Sequence, residues 1–192
     1  MNDKSTPPIV LASASPRRRE LMAAMGLRFT VVVSDADETL PEGTHPREGV
    51  VTVARRKAEA VAATLPEDTL VVAADTTVER DGTSLGKPRS EEEAVEMLLS
   101  LSGRSHAVHT GVAVRWRGRV LAEVETTEVV FRPSTREEVL AYVATGEPMD
   151  KAGAYGIQGK GGAFVESFRG EYDNVVGLPC RLLRRLIDEV TE

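Results

Sequence analysis

The fold is indicated by one stretch near the start of the chain, I-V-L-A-S-A-S-P-R-R-R-E-L, residues 9 to 21. Its first four residues are apolar, which is typical of a short buried strand. Ser15 followed by Pro16 predicts a helix N-cap and a first-turn proline. The helix is expected to run through Met25 and to end at Gly26. A strand that passes directly into a helix is typical of α/β proteins.

Working outward, strand and helix patterns continue to alternate along the chain, and Asp81-Gly82 marks a tight turn within a hairpin-like stretch that follows the third strand. Two pairs, Ser90 with Glu93 and Ser134 with Glu137, predict capping boxes at helix starts. This order predicts an α/β fold with a mixed β-sheet flanked by helices. The further predicted elements are strands at Phe29 to Val33 and Leu70 to Ala74, a helix from Pro46 to about Leu65, a helix from Ser90 to near Gly103, long strands at His106 to Trp116 and Val120 to Phe131, a helix from Ser134 to Val143, a strand near Ala163 to Phe168, and a helix after Pro179.

Composition narrows the class of protein. The chain has 192 residues, 41% of them hydrophobic, which is enough for one substantial core in a single domain spanning residues 1–192. The Pro-containing residues 1–8 are expected to be a flexible extension. A net charge of −6 and few aromatic residues argue against nucleic acid as a partner. The single cysteine, Cys180, suits a reducing compartment, and without an apolar leader or membrane-length run we expect a cytoplasmic protein with no membrane partner.

The strand-to-helix junction is the first candidate site. Ser13 ends the strand, and Arg17 and Arg18 lie in the first turn of the helix, beside its free backbone N–H groups. Helix N-termini favour anions, and guanidinium groups add bidentate contacts to phosphate. First-turn arginines are usually only solvated, but three in succession oppose the helix dipole. Phosphate binding is therefore slightly favoured.

Lys57 falls inside an apolar stripe that is otherwise formed by Val50, Val53, Ala54, Ala58, Val61 and Leu65. An ammonium on a core-facing stripe needs a carboxylate or a bound anion as its partner. The alternative is a lysine that reaches past the edge of the stripe to water. The two interpretations have about equal weight from these residues alone.

Asp75 follows the buried run Leu70 to Ala74, where a strand is expected to emerge from the sheet. Ligands of open α/β sheets bind beyond the carboxyl ends of strands, so Asp75 and the neighbouring Thr76 can hold a metal ion or orient a water molecule. A turn-capping aspartate is the alternative. If the first and third strands are parallel, Ser13 lies along the same edge.

Three further segments are candidates on weaker grounds. Asp37 and Glu38 follow the second strand and offer a further carboxylate, although loop acids are usually just solvated. Lys87 stands in a rigid G-K-P turn, and the alternative is an ordinary exposed lysine. The stretch G-A-Y-G-I-Q-G-K-G-G, residues 153–162, allows the backbone to approach a ligand closely, but it is not a P-loop.

In their order and spacing these motifs resemble the Maf family of nucleotide pyrophosphatases, from about Ile9 to about Ile187. Each motif is weak alone, whereas the ordered set is highly specific. The matching pieces are L-A-S-A-S-P-R-R-R-E-L near the start, D-E at 37–38, A-R-R-K-A at 54–58, A-D-T at 74–76, G-K-P at 86–88, L-S-G at 101–103, D-K-A-G-A-Y-G-I-Q-G at 150–159 and V-V-G-L-P at 175–179.

The resemblance implies a central twisted mixed sheet, two lobes around a cleft as in inosine triphosphatases, and a homodimer. It implies cleavage of nucleoside triphosphates to the monophosphate and pyrophosphate with Mg²⁺ or Mn²⁺. Asp75 then matches the proton acceptor, Glu38 and Asp75 match the metal-side carboxylates, and Lys57 gains a functional role. Ser13, Arg18, Lys57 and Lys87 match the positions that hold the triphosphate.

Substrate choice also follows from the resemblance. Arg17, Thr76 and Gln158 stand at positions associated with selectivity in the family branch that acts on dTTP and UTP. The chain is therefore expected to hydrolyse these two nucleotides, and modified pyrimidine nucleotides are further candidate substrates of such a house-cleaning activity. The alternatives are the branch that acts on 7-methyl-GTP, and a regulator of cell division that binds nucleotides without catalysis. Lys57→Ala is expected to impair catalysis rather than folding.

Overall fold

The computed structural model describes residues 7–192, which form a seven-stranded mixed sheet with helices packed on it. The strands are β1 (Ile9–Leu11), β2 (Phe29–Val31), β3 (Leu70–Arg80), β4 (Thr83–Leu85), β5 (Ser105–Trp116), β6 (Arg119–Phe131) and β7 (Val165–Arg169). Their order across the sheet is β2-β1-β3-β5-β6-β7, and β4 pairs with β3. β1 is parallel to β2 and β3, and the other pairs are antiparallel. The predicted α/β fold with a mixed sheet is confirmed.

Six α-helices are formed by the described residues: α1 (Pro16–Ala24), α2 (Pro46–Ala62), α3 (Glu91–Leu101), α4 (Arg136–Val143), α5 (Tyr172–Val176) and α6 (Cys180–Thr191). The predicted start of α1 is confirmed, because the Ser15 side chain accepts a hydrogen bond from the Arg18 N–H and Pro16 opens the helix. Between α4 and β7 the chain forms three short 3₁₀ helices, at Glu147–Asp150, Ala152–Ala154 and Lys160–Phe164.

The helices cover the sheet on both faces. Alternate β3 residues Val71 and Ala73 pack against Ala54 and Ala58 of α2. The intervening residues Val72 and Ala74 pack on the other face, against Met22 of α1 and Leu183 of α6. Farther along that second face, Val78 packs against α3 and α4 in a separate core cluster. Side chains of one strand thus point alternately to the two layers, as the pleat requires.

Helix α2 packs its backbone directly against Gly111 of β5. A Cβ atom placed there would lie 2.5 Å from the carbonyl carbon of Val50 and 2.7 Å from the nitrogen of Val51. Only a residue without a side chain permits this backbone contact. Gly111 is also the cross-strand partner of Asp75. The contact therefore sets the height of α2 above Asp75.

Strand β3 differs most from its prediction. The apolar run was expected to end at Ala74, but the strand continues to Arg80, where a tight turn at Asp81 and Gly82 (φ 51° and 79°) leads into β4. Asp75 consequently lies inside a strand and not beyond its end. The strand persists because β5 pairs with it from Val71 to Glu79.

The two predicted capping boxes are corrected in detail. At α4, Thr135 and Glu138 form the box, one residue later than the predicted pair Ser134 and Glu137. At α3, the Ser90 side chain does accept from the Glu93 N–H, but the Glu93 carboxylate accepts from the N–H of Arg89.

Other boundaries shift by a few residues. β2 ends at Val31 and α2 at Ala62, both earlier than predicted, and β7 covers Val165–Arg169. Of the predicted extension 1–8, residues 1–6 lie outside the described part, and the Pro8 carbonyl accepts a hydrogen bond from the Leu70 N–H. No helix of residues 7–192 is both long and apolar enough to cross a membrane.

Candidate active site

The candidate site lies on an open edge of β3. On this side β3 pairs with β1 only as far as Val72, and β4 begins to pair at Val78. Asp75 and Thr76 lie in the gap between these two partners, at the end of the parallel part of the sheet. The expectation that Ser13 shares this edge is confirmed in part, because β1 and β3 are parallel and the Ala12 N–H donates to the Val72 carbonyl at 2.7 Å.

Lys57 connects helix α2 to this edge. Its ammonium lies 2.9 Å from Asp75 Oδ1 and 3.0 Å from Glu38 Oε1, and its side chain is only 12% exposed. Of the two interpretations that the sequence left open, a paired ammonium or a lysine that reaches water, the first is confirmed, because the structure supplies two carboxylates. The Asp75 side chain is 22% exposed and the Glu38 side chain is 59% exposed, so these three charged side chains are most buried at Lys57 and most exposed at Glu38.

Arg18 approaches β3 from the opposite face. Its Nη2 donates to Thr76 Oγ1 at 3.1 Å and its Nε to the Gly177 carbonyl at 2.8 Å. Burial lowers the pKa of the Arg18 guanidinium from its ordinary value, and the charge of nearby Asp75 opposes that shift. A guanidinium remains protonated at neutral pH even so. Arg18 is thus a fixed positive charge at the head of α1.

Thr76 and Ser13 each take part in the hydrogen bonds around Arg18. Thr76 Oγ1 lies 2.9 Å from Thr110 Oγ1, which donates to the Asn174 carbonyl. Ser13 Oγ accepts from Arg18 Nη1 at 3.3 Å and from the Ser15 N–H at 3.2 Å. Because a hydroxyl has two acceptor positions and one proton, Ser13 can still donate to a ligand oxygen.

Arg17 spans the cleft to the glycine-rich side. Its Nη1 lies 3.2 Å from Asp150 Oδ2, and Lys151 Nζ lies 2.6 Å from the other oxygen of Asp150. Burial opposes ionisation of Asp150, but the hydrogen bonds from Lys151 and Arg17 outweigh it and lower its pKa. Although they are adjacent in sequence, Arg17 contacts Asp150 before the glycine-rich segment, whereas Arg18 contacts Thr76 of β3.

The glycine-rich segment forms the far wall of the cleft and is held from behind by Glu147. The Glu147 carboxylate accepts hydrogen bonds from Tyr142 Oη at 3.0 Å, from the Lys160 N–H at 3.1 Å and from the Gly161 N–H at 3.2 Å. Burial acts against ionisation, but these hydrogen bonds prevail and lower the pKa of Glu147. The exposed Gln158 stands in this segment and lines the cleft.

The cleft has a volume of about 680 Å³, the size range of small-molecule sites. Lys87 lines it and is exposed, and no carboxylate of residues 7–192 lies within ion-pair distance of its ammonium. Basic side chains outnumber acidic ones among the cleft residues, although the whole chain carries a charge of −6. The basic residues are Arg17, Arg18, Lys57, Lys87 and Lys151, and the acidic residues are Glu38, Asp75 and Asp150. An anionic ligand suits this surface.

Glu38 and Asp75 are suited to a hard divalent cation. Both offer carboxylate oxygens, and both reach the same ammonium within 3.0 Å. Within the described residues no group of three or more His, Cys, Asp or Glu side chains is placed to hold a metal ion alone. Mg²⁺ typically binds through one or two carboxylates together with substrate phosphates. The pair therefore fits such an ion with phosphate oxygens completing its shell.

The structure thus brings nine predicted site residues together around one cleft, namely Ser13, Arg17, Arg18, Glu38, Lys57, Asp75, Thr76, Lys87 and Gln158, whereas the candidate Asp37 does not line it. Sequence reasoning missed the residues that support them. Asp150, Glu147 and Arg56 form contacts with groups distant in sequence, and no local pattern distinguishes them from solvated charges. Asp150 and Arg56 do stand inside motifs that carry the family resemblance, and Glu147 shortly precedes the glycine-rich stretch, which are the signals that could have drawn attention to them.

Comparison with known proteins identifies the family. The family model described as Maf-like protein matches residues 8–190. The chain belongs to the Maf family. A curated Photorhabdus laumondii protein named dTTP/UTP pyrophosphatase is 50% identical over 179 residues, which cover 93% of this chain and 92% of that relative. A Bacillus cereus (strain AH820) protein with the same name is 49% identical over 93% of both chains. The resemblance inferred from the motifs is confirmed.

Solved structures support the fold. The Staphylococcus aureus Ham1 protein superposes on 95% of this Maf-family chain with a TM-score of 0.53, and 98% of that structure is covered. Sequence identity is 17%, so the two share their architecture and no activity follows from the likeness.

Proposed function

We propose that this protein hydrolyses dTTP and UTP to the nucleoside monophosphate and pyrophosphate. The observation that carries the proposal is Lys57, held between Asp75 and Glu38 at the base of a cleft with excess positive charge. The names of relatives at 50% and 49% identity over 93% of the chain support the same reaction and the same two nucleotides.

In the proposed reaction Asp75 accepts the proton. A water oxygen attacks the α-phosphorus, the bond from this phosphorus to the bridging oxygen breaks, and the electron pair leaves with pyrophosphate. Lys57 occupies Oδ1 of Asp75, and no hydrogen bond from residues 7–192 reaches Oδ2. That second oxygen is available to take the proton of the attacking water. Lys57 also offsets part of the negative charge of Asp75 and Glu38, which would otherwise repel an anionic substrate.

The remaining basic groups hold the triphosphate. Arg18 and Ser13 bind phosphate oxygens at the head of α1, where helix N–H groups add to the positive potential. The exposed Lys87 also lines the cleft and supplies a positive charge for the departing pyrophosphate. Glu38 and Asp75 would hold Mg²⁺ or Mn²⁺, and the ion would neutralise part of the phosphate charge.

Arg17, Thr76 and Gln158 are proposed to select the base. Arg17 of α1 and Gln158 of the glycine-rich segment both line the cleft. Thr76 acts through its hydrogen bond with Arg18. The alternative substrate, 7-methyl-GTP, and the alternative role as a non-catalytic regulator are tested by the same assay as the proposal.

We further propose a cytoplasmic homodimer. The support for self-association is the edge strand β7, on which Phe168 is 44% exposed and lies beside the 43% exposed Tyr172 with a ring separation of 5.9 Å. Exposed edges with aromatic side chains are suited to being covered by a second copy. Light scattering of the wild type and of Phe168→Ser tests this: twice the 20.7 kDa chain mass is expected, reduced to one chain in the variant.

The test of function is pyrophosphate release from dTTP, UTP, CTP and 7-methyl-GTP with Mg²⁺ or Mn²⁺. Asp75→Asn is compared with Asp68→Asn, a matched change at an exposed residue just before β3. We expect release from dTTP and UTP, lowered by about 10²-fold or more in Asp75→Asn and unchanged in Asp68→Asn. Faster turnover of 7-methyl-GTP would move the protein to the purine branch. No release from any nucleotide would favour the regulator.

A further inference from the structure

Glu38 presents a structural problem because it lies in the segment 32–40, which has no helix or strand. Its side chain is 59% exposed and makes one ion pair, with Lys57. An exposed carboxylate in irregular backbone loses conformational entropy when it is fixed in one position. Something must therefore hold the backbone of this segment if Glu38 is to act at a defined place.

Arg56 holds this backbone. Its Nη1 donates to the Asp37 carbonyl at 3.2 Å and to the Thr39 carbonyl at 2.6 Å. These are the two carbonyls that flank Glu38 in sequence. The segment is tightened further because the Thr39 N–H donates to Asp37 Oδ1 at 2.9 Å. A single guanidinium thus binds the peptide unit just before Glu38 and the one that follows Thr39, and the Asp37 carboxylate binds the peptide N–H between Glu38 and Thr39.

We propose that Arg56 is a positioning residue that fixes Glu38 for catalysis, which rests on the function proposed above. Two adjacent residues of α2 hold Glu38 in different ways, since Lys57 pairs with its carboxylate and Arg56 binds the backbone on each side of it. Because both residues come from one helix, the loop and the ammonium keep a fixed spacing. Hydrogen bonds from a charged donor to carbonyls are among the stronger ones available for this purpose.

The chain offers a matched control one residue earlier. Arg55 has the same chemistry on the same helix, but it is exposed, and its contact is an i,i+4 pair with Glu59 at 3.8 Å. Such a pair contributes little to structure. Arg55→Ala therefore removes a similar side chain and the same charge without touching the Glu38 segment.

The first experiment measures hydrogen–deuterium exchange of the Glu38 segment by mass spectrometry in the wild type, Arg55→Ala and Arg56→Ala. We expect exchange in residues 34–41 to be about tenfold faster in Arg56→Ala only, with helix α6 unchanged as the internal reference. Arg56→Gln, which keeps the apolar stem, repeats the comparison with less disturbance of packing. Equal exchange in all variants would overturn the inference.

The second experiment asks whether Arg56 acts through Glu38. Pyrophosphate release from UTP is measured for Arg56→Ala, Glu38→Gln and the double variant over a Mn²⁺ titration. We expect Arg56→Ala to lower kcat/KM roughly tenfold and to raise the half-saturating Mn²⁺ concentration. Added to Glu38→Gln, the same change should alter kcat/KM by less than about twofold.

Two results separate this inference from the proposed function. Full additivity in the double variant would show that Arg56 acts elsewhere and would refute the inference while leaving the activity intact. A wild type that releases no pyrophosphate would refute the function, and the exchange comparison would still decide whether Arg56 orders the segment.

Discussion

Replacing Gly111 by alanine tests whether the contact between α2 and the sheet sets the geometry of the site. The added Cβ atom would lie 2.5 Å from the Val50 carbonyl carbon and 2.7 Å from the Val51 nitrogen. Both neighbours are backbone atoms inside a helix, so they cannot swing aside as a side chain can. Ordinary contact begins near 3.4 Å, so the helix must move outward by at least about 0.9 Å to relieve the contact with the carbonyl carbon, and the Val50 carbonyl oxygen lies nearer still.

This displacement is large compared with the tolerances of the site. Moving α2 by about 0.9 Å stretches the 2.9 Å contact between Lys57 and Asp75 beyond hydrogen-bond distance. Misplacement of about 1 Å can cost roughly 10²-fold in rate, and overpacking a core typically costs about 1–3 kcal/mol. For a chain of this length, such a loss lowers the melting temperature by roughly 2–12 °C.

The assay pairs thermal unfolding with pyrophosphate release from UTP. Gly86→Ala is the matched control, because a Cβ atom at this cleft residue meets nothing within 4 Å and the backbone conformation is ordinary. We expect Gly111→Ala to lose both stability and activity and Gly86→Ala to keep its stability. If Gly111→Ala unfolds at the wild-type temperature with wild-type kcat/KM, the reasoning about helix height is refuted.

Three further predictions concern single side chains. Lys57→Ala should lower kcat/KM for UTP by about 10²-fold while the free energy of unfolding in urea changes by no more than about 3 kcal/mol; normal turnover with a large loss of stability would show a structural lysine. Burial lowers the pKa of His106 to about 4, so the unfolded chain takes up a proton first as pH falls. The stabilisation that comes from a neutral, buried His106 is complete above pH 6.5, and about 3 kcal/mol of it is lost by pH 4. Urea titrations should show the free energy of unfolding of the wild type falling between these two pH values, and that of His106→Gln falling less. Glu147→Gln places an amide donor against the N–H groups of the glycine-rich segment, so KM for UTP should rise about tenfold, whereas the exposed Glu137→Gln should leave KM unchanged.

The sequence predicts most of the fold because local signals are strong where elements begin. Ser15 with Pro16 marks the start of α1, and the apolar stripe with Lys57 places α2 correctly against the sheet. Lys57 also shows the limit of a sequence pattern, because an ammonium in an apolar stripe predicted either a partner or a lysine that reaches water and identified no partner. The structure supplies Asp75 and Glu38.

What the sequence does not reveal depends on pairing between distant segments. Residues after Ala74 become polar, so the apolar strand pattern stops at Asp75, and only the partner strand β5 shows that the strand continues. The same reason hides Arg56, whose acceptors are carbonyl groups 17 and 19 residues away. Because every residue has a backbone carbonyl group, the pattern of side chains in the sequence cannot predict such a contact.

The missing partner on one side of β3 explains why the site can form here. Asp75 and Thr76 are neighbours in a strand, so their side chains point to opposite faces of the sheet. Inside a complete sheet, groups on the two faces are kept apart by the paired strands. Here β1 pairs only to Val72 and β4 begins at Val78, which leaves the edge between them open. Lys57 reaches the edge from one face and Arg18 from the other. One anionic ligand can then contact groups held by both helical layers, and this depends on the strand edge remaining unpaired.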